Sequence, residues 1–175
     1  MKLLHMMICL LVTFGLTACE SGDELHIHYS SAPELYSFNM IDSYGVNTEL
    51  DHTTALALHP YEYGGWFDLS WEVGSRRDYF VEVSINDRPV WDDTAVIGED
   101  LCGAGLACGS WGAFICRYDN DFYMGCGQSE SEVDFNQISV YHLIDDLPQR
   151  VFLNLRVCDA AGGGCEMNSL DVWLY

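Results

Sequence analysis

Lysine is all but missing from this chain. Lys2 is the only one, and six arginines, Arg76, Arg77, Arg88, Arg117, Arg150 and Arg156, supply the rest of the positive charge against 27 acidic residues. The formal net charge is −20. A field of that sign repels a phosphate backbone, and the arginines form no basic stripe, so nucleic acid is excluded as a partner. Adhesion to anionic lipid through charge is excluded for the same reason. Catalytic signatures are missing as well: there is no G-x-S-x-G elbow, no H-E-x-x-H, no phosphate loop and no dinucleotide fingerprint. Serine, histidine and aspartate are all present, but no spacing selects a set, so the chain reads as noncatalytic. Fixed-period repeats and low-complexity tracts are absent too. With 13 % aromatic residues, disorder is not expected beyond a short N-terminal tether. No run after residue 18 reaches the ~20 apolar residues of a spanning helix.

What is present begins with the first eighteen residues. Lys2 gives a positive start, Leu3 to Leu16 is almost wholly apolar, and Thr17 and Ala18 are small. That order describes a secretory signal. "LTAC", Leu16 to Cys19, resembles the lipobox of bacterial lipoproteins. The resemblance implies a signal peptide over 1–18, lipidation of Cys19 as the new N-terminus, and a solvated tether over 19–24. A diacylated sulfur meets the two-chain requirement for stable anchoring. Glu20 after the cysteine implies, by the same resemblance, outer-membrane sorting within a bacterial cell envelope. Loss of residues 1–18 removes Lys2 as the one charged side chain, taking the formal charge to −21 and leaving 157 residues, enough for one domain.

Six cysteines follow Cys19, and an even number in an exported chain reads as three disulfides. Cys158 and Cys165 stand at the mouth of one hairpin, flanking "DAAGGG". For the others, nearest-neighbour pairing joins Cys102 to Cys108 and Cys116 to Cys126. The second of these closes a hairpin around "YDND", though a Gly-rich segment leaves further pairings open. No C-x-x-C points to zinc.

Strand patterns run through the rest. "LHIHYS" (25–30), "LYSFNMI" (35–41), "TALALH" (54–59), "WFDLSWEV" (66–73), "DYFVEVSIND" (78–87), "QISVYHL" (137–143), "RVFLNLRVC" (150–158) and "SLDVWLY" (169–175) are separated by Gly, Asn, Asp or Pro turns. In the fourth, Phe67, Leu69, Trp71 and Val73 share a face; in the fifth, Tyr79, Val81, Val83 and Ile85 do. No stretch keeps a helical period for three turns. Short punctuated strands predict an all-β, antiparallel sandwich.

"FDLSWEVGSRRDYFVEVSIND", with Trp71 and Tyr79, is similar to the second and third strands of a fibronectin type III domain. "LPQRVFLNLRVCDAAGGG", with Leu147 and Pro148, is similar to its turn and sixth strand. The corner tyrosine of that family has no counterpart here. The resemblance implies one immunoglobulin-like (fibronectin type III-like) β-sandwich over 25–175, with a Cys/Gly-rich, disulfide-containing insertion at about 98–133.

Candidate ligand-binding residues are aromatic: Tyr61, Tyr63 and Trp66 in "YEYGGW", and Trp111 beside Phe114 in "GSWGAF". Flat rings on loops stack on sugars or anchor protein contacts. Trp71, Trp91 and Trp173 lie in strand-like runs and read as core. His26 and His28, two apart on a strand, have a spacing that seats a metal. The acidic pairs Asp92–Asp93 and Glu99–Asp100 and the run Asp119–Asp121 could supply calcium oxygens, although "DNDFYMG" departs from an EF-hand loop. The reading is therefore a membrane-anchored, exported, noncatalytic envelope interaction or structural module, meeting an envelope or extracellular protein or glycan. A carbohydrate- or calcium-binding module is the alternative.

Overall fold

The computed structural model describes residues 32–175 apart from 92, 94 and 107. The signal, Cys19, the tether, the 25–30 strand and the His26/His28 pair lie outside the described residues.

Among the described residues, ten strands form two sheets. The first contains β1 (Glu34–Ile41), β3 (Trp66–Gly74), β6 (Trp111–Tyr118), β7 (Tyr123–Gly127) and β8 (Ile138–Ser139), in the order β1-β3-β6-β7-β8. The second contains β2 (Leu56–Leu58), β4 (Tyr79–Asn86), β5 (Val96–Cys102), β9 (Gln149–Asp159) and β10 (Cys165–Leu174), in the order β2-β10-β9-β4-β5. One helix, α1 (Glu130–Asn136), lies between β7 and β8. All strand pairs are antiparallel except β2 with β10, which run parallel. The fold is thus all-β and sandwich-like with one mixed sheet.

Alternation builds the core. Phe67, Leu69, Trp71 and Val73 of β3 point inward, as do Tyr79, Val81, Val83 and Ile85 of β4 and Val151, Leu153, Leu155 and Val157 of β9. Trp71 is fully buried and meets Phe114 of β6 edge-on, with ring centres 4.9 Å apart. Burying these rings and branched side chains is the main favourable term for the fold.

The disulfides are Cys102–Cys108, Cys116–Cys126 and Cys158–Cys165. Cys116 and Cys126 are register partners on β6 and β7, with Cα atoms 4.1 Å apart, and both are fully buried. Gly98 of β5 lies over them; a Cβ there would stand 2.7 Å from that of Cys126. The bridge therefore belongs to the core between the sheets. Cys158 and Cys165 are register partners at the start of the β9–β10 hairpin.

Several expectations need correcting. The stretch 98–133 is not a separate insertion: it supplies β5, β6 and β7, and β6 is the central strand of its sheet. Strand 137–143 is cut to Ile138–Ser139 and ends in a 3-10 turn over Tyr141–Leu143. Trp91 and Trp173 are only half-buried. Trp91 lies on the outer face of the second sheet, where the Arg156 guanidinium sits 3.9 Å from its ring centre. Arg156 also pairs with Glu82 at 2.8 Å and Asp93 at 3.3 Å. The β4–β5 connection is thereby folded back over the sheet, and Asn154 and Asn86 both donate to the Val90 carbonyl beneath it. Trp173 lies on β10 at the open side of the sandwich, where β1 and β10 border a groove.

Candidate functional site

β1 runs from Glu34, opposite Gly74, to Ile41, opposite Asp68. At the Ile41 end the chain makes a tight turn around Asp42, a buried carboxylate. Its Oδ1 accepts the Tyr44 and Val46 amides at 2.9 and 2.8 Å, and its Oδ2 accepts the Ala57 amide of β2 at 2.9 Å. A carboxylate satisfied by three backbone donors fixes a loop firmly. Here it leaves Tyr44 on the surface.

Beside it, β2 runs out at His59. The Tyr61 amide donates to His59 Nδ1 at 3.2 Å, and the Tyr175 amide donates to the Leu58 carbonyl at 3.0 Å. The His59 ring becomes the hub of an exposed cluster, with ring centres 6.3 Å from Tyr44, 5.7 Å from Tyr61 and 6.4 Å from Tyr175. Tyr61 is 72 % exposed and Tyr63 is 75 % exposed. The Tyr44 phenol is pushed above its ordinary value, first by partial burial and then by the negative charge of Glu62.

Tyr63 itself has φ 48°, followed by Gly64 at 68° and Gly65 at 80°. Three successive left-handed residues turn the chain sharply into Trp66. Only glycine fits at 65, where a Cβ would come within 1.9 Å of the Tyr118 carbonyl oxygen. Tyr63 and Trp66 then border a depression of ≈ 300 Å³ with Ile41 and Asp68. Farther along the same end, Tyr141 packs against Phe122 at 5.6 Å and is 65 % exposed. A rim of tyrosines thus surrounds the end of the sandwich remote from Ala32. Tyr44, His59, Tyr141 and Tyr175 are members that the sequence reading missed. Tyr44 carries a sequence signal, a lone ring flanked by turn residues in "DSYGVN", whereas Tyr141 and Tyr175 lie in strand-like runs and carry none.

Trp111 is elsewhere. It pairs with Glu72 while Trp66 pairs with Arg117, so the two tryptophans stand at opposite ends of the β3–β6 ladder, roughly 20 Å apart. Trp111 is 60 % exposed and borders a depression of ≈ 470 Å³ with Ser70, Ala113 and Gln128. The structure therefore groups Tyr61, Tyr63 and Trp66 and separates Trp111 from them.

A serine, a histidine and an aspartate do gather at the rim, but not as a catalytic set. Ser43 is fully buried, and its hydroxyl accepts the His59 backbone amide at 3.4 Å rather than facing the ring. His59 Nδ1 is taken by Tyr61, and Asp42 by backbone donors, so neither of them is set to activate the Ser43 hydroxyl. An open groove of ≈ 590 Å³ lies between β1 and β10 and is bordered by Tyr36, His52 and Trp173. Its carboxylates are engaged: Asp51 accepts from Thr54 and Thr53, which holds it well below the usual carboxylate range, and Asp171 is gripped by the Arg150 guanidinium.

Among the described residues no three His, Cys, Asp or Glu side chains converge on a metal position. Asp119 accepts the Asp121 and Tyr123 amides of its own turn, and Asp100 accepts from Gln128, so both carboxylates are engaged by protein donors. Nor does any helix among the described residues have the length and apolarity to cross a membrane. Set against known proteins, the chain matches no family model, no curated protein and no solved structure.

Proposed function

We propose that the protein is an exported, lipid-anchored, noncatalytic recognition module of the bacterial cell envelope, held at the outer membrane through Cys19 and meeting an envelope or extracellular protein with its tyrosine rim. The anchor rests on the "LTAC" stretch behind an apolar run. The rim carries the recognition reading: Tyr44, Tyr61 and Tyr175 gathered around His59, with Tyr63 and Tyr141 beside them, at the end of the sandwich away from Ala32. Tyrosine offers a broad amphipathic surface with only two side-chain torsions to immobilise, and it is over-represented where loops bind proteins. The immunoglobulin-like assignment draws support from the second sheet, where β4, β9 and β10 adjoin as C, F and G strands do. In the first sheet the neighbour of β3 is β6, which precedes β7, whereas in the A-B-E-D arrangement the neighbour of B follows D.

The test is a photoreactive residue placed at position 61 or, for comparison, at position 76 in living cells. Adducts with one defined envelope protein from position 61 and none from 76 are expected. Equal labelling from both positions would remove the rim's claim. The same cells carrying Cys19→Ser should lose membrane fractionation, fatty-acid labelling and the adduct together. A variant that still fractionates and labels places the anchor elsewhere.

A further inference from the structure

We propose that the outer face of the first sheet is a second binding surface, built for an extended, uncharged glycan. It rests on strand alternation. In β3 the inward residues are Phe67, Leu69, Trp71 and Val73, so Trp66, Asp68, Ser70 and Glu72 point out. In β6 the inward residues are Phe114, Cys116 and Tyr118, so Trp111, Ala113, Ile115 and Arg117 point out. Trp66 and Trp111 therefore share one face, at diagonal corners of a two-strand ladder.

The ground between them is low. Ser70 and Ala113 are register partners, and both are small. Helix α1 rises along the β7 side. It lies directly over Gly125 and Gly127, where a Cβ would meet the Val133 carbonyl oxygen at 2.5 Å and the Glu132 Cβ at 2.4 Å. A depression lies at each end of the strip, ≈ 300 Å³ beside Trp66 and ≈ 470 Å³ beside Trp111. The shape is a shallow trough with a helical wall and an indole at either end.

Two indoles separated by a floor of Asp68, Ser70 and Ala113, with Ile115 as its one larger apolar side chain, do not make the contiguous apolar centre of a protein interface. They suit a ligand that repeats a flat apolar face along its length and carries hydroxyls at its edges, which is the chemistry of an extended sugar chain. Aromatic rings supply broad contact with such faces. The Asp68 and Glu72 carboxylates offer acceptors to hydroxyl donors. They also disfavour anionic ligands, as does the net charge of −20. The one cation of the strip, Arg117, is held against the Trp66 ring at 5.6 Å and is outnumbered on this face by Asp68 and Glu72.

Calorimetric titration of the mature protein with cellohexaose, chitohexaose and mannohexaose, and with the matching disaccharides, decides the matter. At least one hexamer should bind, with its disaccharide weaker by about tenfold because it reaches a single indole. Trp66→Ala and Trp111→Ala should each weaken the hexamer by about tenfold. Trp111 is exposed and Trp66 half-buried, so the melting temperature should hold in Trp111→Ala and fall only modestly in Trp66→Ala. No hexamer binding in the millimolar range, or binding untouched in the double variant, overturns the proposal. The position-61 cross-link should persist in Trp111→Ala, so that failure of the trough and failure of the rim are read separately.

Discussion

At the residue scale, one constraint inside the core is a missing side chain. Gly112 lies against the Trp71 indole, and a Cβ there would come within 2.3 Å of Cε2 and Cζ2. The indole has nowhere to go, since Phe114 already packs edge-on against it and the pair is fully enclosed. Gly112→Ala should therefore cost about 1–3 kcal/mol through overpacking. Urea denaturation should show a lower midpoint with an unchanged slope; an unaltered midpoint would mean that the ladder yields at β6. The same contact explains why "SWGAF" reads poorly as a strand. Its inward position is filled by a tryptophan borrowed from β3, and the alternation is invisible in β6 alone.

At the scale of elements, the three bridges differ in what surrounds them. Cys116–Cys126 is sealed between the sheets, and Cys102 and Cys108 are buried as well. Tyr79 secures that second loop by donating to the Gly109 carbonyl at 2.6 Å. Cys158–Cys165 stands on the outer face, with Cys165 exposed. Thiolate attack requires access to a sulfur. A mild reductant should open Cys158–Cys165 first and leave the other two until the domain unfolds, as differential alkylation and mass spectrometry would record. Early labelling of Cys116 would contradict the packing. These bridges also show where sequence reasoning stopped. The spacing of Cys158 and Cys165 made their hairpin legible, because long branched strands flank it. β5, β6 and β7 were read as an insertion because their core positions carry cysteine and glycine: Cys116, Cys126 and Gly98 fill space that leucine and valine fill elsewhere. Helix α1 is seven residues long, too short to display a period.

At the scale of the whole molecule, charge and burial meet in Tyr118. Its hydroxyl is buried without a hydrogen-bond partner. Burial, and secondarily Asp119, pushes its pKa up to about 12. A raised phenol favours the folded state while it stays neutral. That contribution is whole below about pH 10, where the unfolded phenol titrates, and disappears as pH climbs through about 12. The molecule already repels itself at a net charge of −20, so alkaline unfolding should begin in this window. Tyrosinate absorbance and circular dichroism should show the last phenol ionising together with loss of the sheets; a last phenol that titrates near 10 in a folded molecule would refute it. The sandwich itself was legible because β3, β4 and β9 alternate cleanly. The rim was half legible. Tyr61, Tyr63 and Trp66 are neighbours in the chain, but Tyr44, Tyr141 and Tyr175 join them only through the way β1, β8 and β10 end together.

The hydrogen bond from Tyr175 to Leu58 has a practical corollary. Whatever is fused after residue 175, an epitope label, a fluorescent reporter or more polypeptide, must emerge among the rings around His59 and shade them from any visitor. Assays of contact made with such a fusion would report its bulk, and a reporter inserted in the Ala160–Gly164 turn at the other pole would leave those rings uncovered.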